Sequence, residues 1–145
     1  MHYLSYNRRI KNSKEQTIHM KKIYLRTLIS AGLGAILGIF CIIGVNQRLP
    51  PDPSPSAGVY LLGAWYNRLI MGIMIGLAGE IHFLSEKHQI WEAIIRGLLI
   101  GAIVSVSFAF LQQMITITYF LAGIAYGLII DLISTLIMKK VMKNQ

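Results

Sequence analysis

A chain of 145 residues that is 54% hydrophobic and 14% charged, with a mean hydropathy of +0.56, is too apolar for a soluble domain, where about a quarter of residues carry charge. Its formal net charge of +8 is of the size seen in nucleic-acid binders, but the Lys and Arg gather at the ends of apolar runs and in two tails, the pattern that orients membrane helices, so no nucleic-acid partner is expected. The single cysteine, Cys41, lies inside an apolar run; this excludes an intrachain disulfide and a cysteine-based metal site, and no metal or cofactor is expected.

Residues 1–22 form a basic tail in which Tyr3, Leu4, Tyr6, Ile10 and Ile18 are spaced too irregularly to predict a helix. The tail is expected at the lipid headgroups or without regular structure, and its Arg8, Arg9, Lys11, Lys14, Lys21 and Lys22 suit anionic lipids. The first predicted span is 23–45. It is uncharged from Thr27 to Val45 and three further apolar runs follow, so it reads as a membrane anchor and not as a cleaved leader. Residues 46–56 contain Pro50, Pro51, Pro53 and Pro55, which deny the chain helical hydrogen bonds and predict an extended loop.

The second span, over 59–84, is interrupted by Arg68. Two geometries fit: a long tilted helix with Arg68 inside it, or an interfacial segment up to Tyr66 with the span proper starting at Leu69. Trp65 and Tyr66 favour the second, because aromatic rings collect at the interface and an arginine there can snorkel outward. A short charged loop with Glu86, Lys87 and His88 and an interfacial Trp91 leads to the third span, 93–111. Gln112 and Gln113 are the polar break before the fourth span, 115–138, and residues 139–145 form a second basic tail.

The expected fold is therefore all-α, with four transmembrane helices. All Lys and Arg except Arg48 and Arg68 fall on one side of such a four-span layout. The positive-inside rule then predicts a multi-pass protein of the cytoplasmic membrane with both termini in the cytoplasm.

An internal repeat runs through the chain. Gly72, Gly76 and Glu80 in the second span match Gly123, Gly127 and Asp131 in the fourth through the shared pattern G-I-x-x-G-L-x-x-acid. The first and third spans open with Arg26 and Arg96, followed at four-residue spacing by Thr27, Ala31 and Ala35 or by Gly97, Gly101 and Ser105. Two helical hairpins related by a parallel repeat are expected. Four-residue spacing sets Gly72 and Gly76, and likewise Gly123 and Gly127, on one stripe of each helix, where small residues let helices approach closely in lipid.

The two acids at the ends of those stripes are the candidate functional residues. An acid well inside a membrane helix is costly unless compensated, and Arg26 and Arg96 are the available ion-pair partners. Alternatively, Glu80 and Asp131 together hold a proton or a cation, since two close carboxylates do not both ionise cheaply. His82, on another face from Glu80, is not assigned to that site. Ser105, Ser107, Thr116 and Thr118 are expected to bond helix carbonyls or to cross-link helices.

No phosphate loop, zinc-binding helix motif or activated nucleophile is present, so no enzymatic activity is expected. The sequence reads first as a structural, assembly or accessory membrane component, working in the bilayer with a second copy or another membrane protein as partner. The alternative is a small oligomeric proton- or cation-coupled transporter or channel that uses Glu80 and Asp131.

Overall fold

The structure, a computed structural model, describes residues 2–47, 49, 56–81, 88–111 and 117–143. Arg48, the prolines of the first loop, His82, Glu86, Lys87, Gln112, Gln113 and Thr116 lie outside the described residues. Four helices form the fold: α1 (His2–Asn46), α2 (Ala57–Leu77), α3 (Gln89–Leu111) and α4 (Ile117–Lys143). Each is long and apolar enough to cross a membrane, and the chain is a multi-pass membrane protein with an all-helical fold.

α1 does not stop at the basic tail. Forty-five residues make a helix about 67 Å long, more than twice the roughly 30 Å of a hydrocarbon core. The apolar span nucleates the helix, and propagation then adds one hydrogen bond per residue fixed. No glycine or proline occurs before Gly32 to interrupt it.

α2 begins just after the prolines end, at Ser56, whose carbonyl accepts the first amide, that of Val59, at 2.9 Å. It tightens into a single 3₁₀ turn over Ala78–Glu80 and leaves the helical region at Ile81, short of the predicted end at residue 84. α3 starts at Gln89, earlier than expected, so Glu92 belongs to its first turn. α4 runs past Lys139 and Lys140 to Lys143, because lysines near a helix C-terminus complement the carbonyl end of its dipole and do not break it.

α1 pairs chiefly with α2, and α3 with α4; contact between these two hairpins is much sparser. Backbone approach explains the pairing. A Cβ on Gly72 would collide with the carbonyl of Ser30, one on Gly76 with Cα of Thr27, and one on Gly34 with the carbonyl of Arg68. In the other hairpin a Cβ on Gly97 would come within 2.7 Å of the Gly127 carbonyl, and one on Gly101 within 2.7 Å of the Gly123 carbonyl. Without a side chain at these positions the helices gain dispersion contact along their length, which in lipid replaces the hydrophobic drive.

The hairpins meet in layers. At mid-height Met71 and Ile75 of α2, Val104 of α3 and Ile130 of α4 are buried together, with Leu33 and Leu37 of α1 against them. Nearer the first loop, Cys41 and Val45 of α1 pack with Ala64 of α2.

Arg68 lies between these two layers and is 2% exposed, within one uninterrupted α2. Arg68 therefore packs inside the bundle and does not snorkel outward. Trp65 packs on α1: its Nε1 donates to the Ala35 carbonyl at 3.0 Å, and its ring covers Gly38. A tryptophan facing a glycine on the neighbouring helix gains more contact than one facing lipid.

Candidate functional site

The polar centre of the molecule is Asp131. Helical spacing puts it on the same stripe of α4 as Gly127 and Thr135, and the close approach of α3 at Gly97, where a Cβ would lie 3.1 Å from Asp131 Cβ, turns that stripe inward. Its side chain is wholly buried.

Two arginines from two other helices converge on it. Arg96 of α3 is bidentate, donating from Nε to Oδ2 and from Nη2 to Oδ1, both at 2.8 Å. This parallel fork is the strong form of guanidinium–carboxylate pairing. Arg26 of α1 donates from Nη2 to Oδ1 at 2.8 Å and to Thr135 Oγ1 at 3.1 Å. Thr135 in turn donates to Oδ1 at 3.3 Å. One turn deeper, Ser30 Oγ donates to Ser134 Oγ at 2.8 Å, a second polar link between α1 and α4.

Surrounding elements hold the two arginines in place. Arg26 lies over Gly79, where any Cβ would overlap its guanidinium; the glycine in the 3₁₀ turn makes the room. Arg96 also donates from Nη1 to the Ile81 carbonyl at 3.2 Å, so one side chain both binds the acid and satisfies a carbonyl where α2 ends. The cluster thus ties together all four helices. Glu92, one turn before Arg96, is 2% exposed, so the buried formal charges here are two guanidiniums and two carboxylates, which balance. A cavity of about 120 Å³ opens beside them, bordered by Lys22, Glu80, Gln89, Glu92 and Lys139.

Glu80, the other predicted acid, borders the same cavity but is bonded elsewhere. It pairs with His19 of α1 at 3.0 Å, with the histidine side chain 59% and the glutamate side chain 24% exposed. The structure therefore brings Arg26, Arg96 and Asp131 together and gives Glu80 a separate, solvent-facing partner. Gly76 and Gly127 face the helices paired with theirs, Gly72 does so against Ser30, and Gly123 lies against Ser105. Ser107 donates to the Ile103 carbonyl at 3.0 Å, as expected of a helix hydroxyl. Among the described residues no group of three His, Cys, Asp or Glu side chains is arranged to hold a metal ion.

Sequence reasoning passed over Glu92, His19 and the Ser30–Ser134 link. Only Glu92 left a readable signal: it precedes Arg96 by one helical turn, which places both on one face. Comparison with protein-family models, characterised proteins and solved structures gave no match to this chain.

Proposed function

We propose that the chain is a non-catalytic structural or accessory component of the membrane, in which Asp131 serves as the fastener of the four-helix unit and not as a carrier of a transported ion. The observation that carries this reading is the saturation of the Asp131 carboxylate: both oxygens accept from guanidinium groups, and Oδ1 also accepts from Thr135. A transport carboxylate must exchange its partner for a proton or cation and release it again. A cation approaching Asp131 meets two positive groups at contact distance, and removing either arginine leaves a buried charge without compensation.

A duplicated-hairpin origin fits the same reading. Thr27 lies against Gly76 as Gly97 lies against Gly127, and Ala31 lies against Gly72 as Gly101 lies against Gly123, which is the correspondence the repeat requires. The symmetry is broken at the acids: Arg26, the counterpart of Arg96, reaches across to Asp131, and Glu80 pairs with His19. The distribution of basic residues supports a cytoplasmic location for the Asp131 end, with the long basic N-terminal part of α1 beyond the bilayer, near anionic headgroups.

Reconstitution tests the functional reading. Proteoliposomes containing the wild-type chain should show no proton, sodium or potassium flux above empty vesicles, and Asp131→Asn should lose thermal stability in detergent. Flux in the wild type that disappears in a stably folded Asp131→Asn protein would falsify it. For orientation, a cysteine at Ser13 or Asn144 in a Cys41→Ser background should resist impermeant thiol reagent in intact cells, whereas one at Ser54 should react.

A further inference from the structure

Arg68 has a different environment from the arginines at Asp131. Its side chain is almost completely buried at mid-bundle, yet its described contacts are neutral. Nη1 donates to Ser105 Oγ at 3.3 Å, the guanidinium carbon lies 4.9 Å from the centre of the Tyr126 ring, and Nε donates to nothing. The absence of a side chain at Gly123 leaves room for the head group, since a Cβ there would be 3.2 Å from Nη1.

No described carboxylate comes within reach. Glu80 lies roughly 18 Å further along α2, and Glu92 roughly 20 Å along α3 from Ser105, at 1.5 Å per residue. Asp131 has both oxygens occupied by other arginines. A permanently charged guanidinium in the middle of an apolar bundle is costly without an anion.

Arg68 also borders a cavity. A partly open space of about 210 Å³ lies between α1 and α4 at the Cys41 end, lined by Cys41, Gly44, Tyr119, Ala122 and Tyr126 as well as Arg68. Its surface is mostly apolar. It is smaller than the roughly 300–1,000 Å³ of sites for drug-sized ligands, so its occupant is short. One buried cation without a described counter-charge, at the edge of a small apolar space, matches a molecule with one anionic head and a short hydrocarbon body.

We propose that this cavity binds a short-chain amphiphilic carboxylate, with the carboxylate on Arg68 and the hydrocarbon against Cys41, Gly44 and Ala122. The site is independent of the Asp131 cluster and of the accessory reading. Cation–π contact with Tyr126 and the bond to Ser105 hold the guanidinium in place beside the cavity.

The probe is radiolabelled octanoate, with the full chain in nanodiscs of zwitterionic lipid and empty nanodiscs as background. Wild type should bind saturably, one octanoate per chain. Arg68→Gln should weaken binding about tenfold or more, the effect of losing a charge-assisted hydrogen bond. Gly44→Leu should weaken it comparably by filling the cavity, and it is the safer variant because a Cβ at Gly44 meets nothing within 4 Å. Excess octanol or inorganic phosphate should fail to compete.

Non-saturable uptake, or equal binding by wild type and Gly44→Leu, would overturn the proposal. Competition by octanol as strong as by octanoate would reduce the cavity to an apolar hole, and comparable competition by phosphate would make it an inorganic anion site; either result refutes the amphiphile.

Discussion

Two buried charged regions lie within one small bundle, and the sequence treats them oppositely. At the Asp131 end, an acid is surrounded by two guanidiniums and a threonine, with every carboxylate oxygen satisfied. Toward the Cys41 end, a guanidinium rests on a hydroxyl and an aromatic ring, with no described carboxylate beside it. A network of paired charges loses much when a member is removed; a guanidinium among neutral neighbours loses less. The contrast separates charges paired with one another from a charge without a described counter-charge.

The sharpest test is Asp131→Asn. It preserves shape but removes the carboxylate that both Arg26 and Arg96 grip, and the cost of breaking a buried pair is about 3–5 kcal/mol. Thermal or denaturant unfolding in mild detergent should register it as a large loss, and a change below about 1 kcal/mol would mean that the network does not hold the helices together.

Next comes Gly127→Ala, where the new Cβ faces backbone atoms of Gly97 and Gly101 that cannot move aside as a flexible side chain would. A destabilisation of about 1–3 kcal/mol is expected for such overpacking. Gly32→Ala is its control: a Cβ there meets nothing within 4 Å, and helix propensity alone should make the change neutral or stabilising by about 0.5–1 kcal/mol. If both substitutions behave alike in the same unfolding assay, close backbone approach does not set the packing.

Arg68→Gln should cost less than Asp131→Asn. It removes the hydrogen bond to Ser105 together with an uncompensated charge, and these partly cancel, so a net change within about 1.5 kcal/mol of wild type is expected in ligand-free protein. A loss as large as that of Asp131→Asn would erase the distinction between the two regions. The smallest effect belongs to Glu80→Gln, whose partner His19 is mostly solvent-exposed; about 0–1 kcal/mol is expected for such a surface pair, read from the same melting curves.

Much of the architecture was legible from residue order. Four apolar runs, a proline-rich break and a basic bias at the run ends predict four spans, because hydrocarbon thickness and backbone hydrogen bonding leave a chain few other solutions. The glycine stripes could be read from four-residue spacing, and Arg26 and Arg96 could be named as partners for an acid because they open the spans adjacent to it. What could not be read was how the acids divide the partners. Glu80 and Asp131 occupy matching positions of the shared G-I-x-x-G-L-x-x-acid pattern, and periodicity treats them alike.

Several misjudged positions have one cause in common. Trp65 and Arg68 have the composition of an interface, and only the approach of α1 at Gly34 and Gly38 reveals that they face a neighbouring helix. Glu92 looked like a loop residue because charge was read as solvent exposure, yet it is buried near Arg96.

Residue order alone therefore determined that the chain crosses the membrane four times, where each helix has a small-residue face, and that Asp131 needs a partner. Those are one-dimensional properties: length, hydropathy and period. The tertiary structure alone decided that Arg26 crosses to the other hairpin's acid, that Glu80 turns to His19, and that Arg68 has neutral neighbours beside a cavity. Each depends on the rotation and depth at which separate helices meet, and a difference of one residue in either would exchange a carboxylate for a methyl group opposite the same arginine.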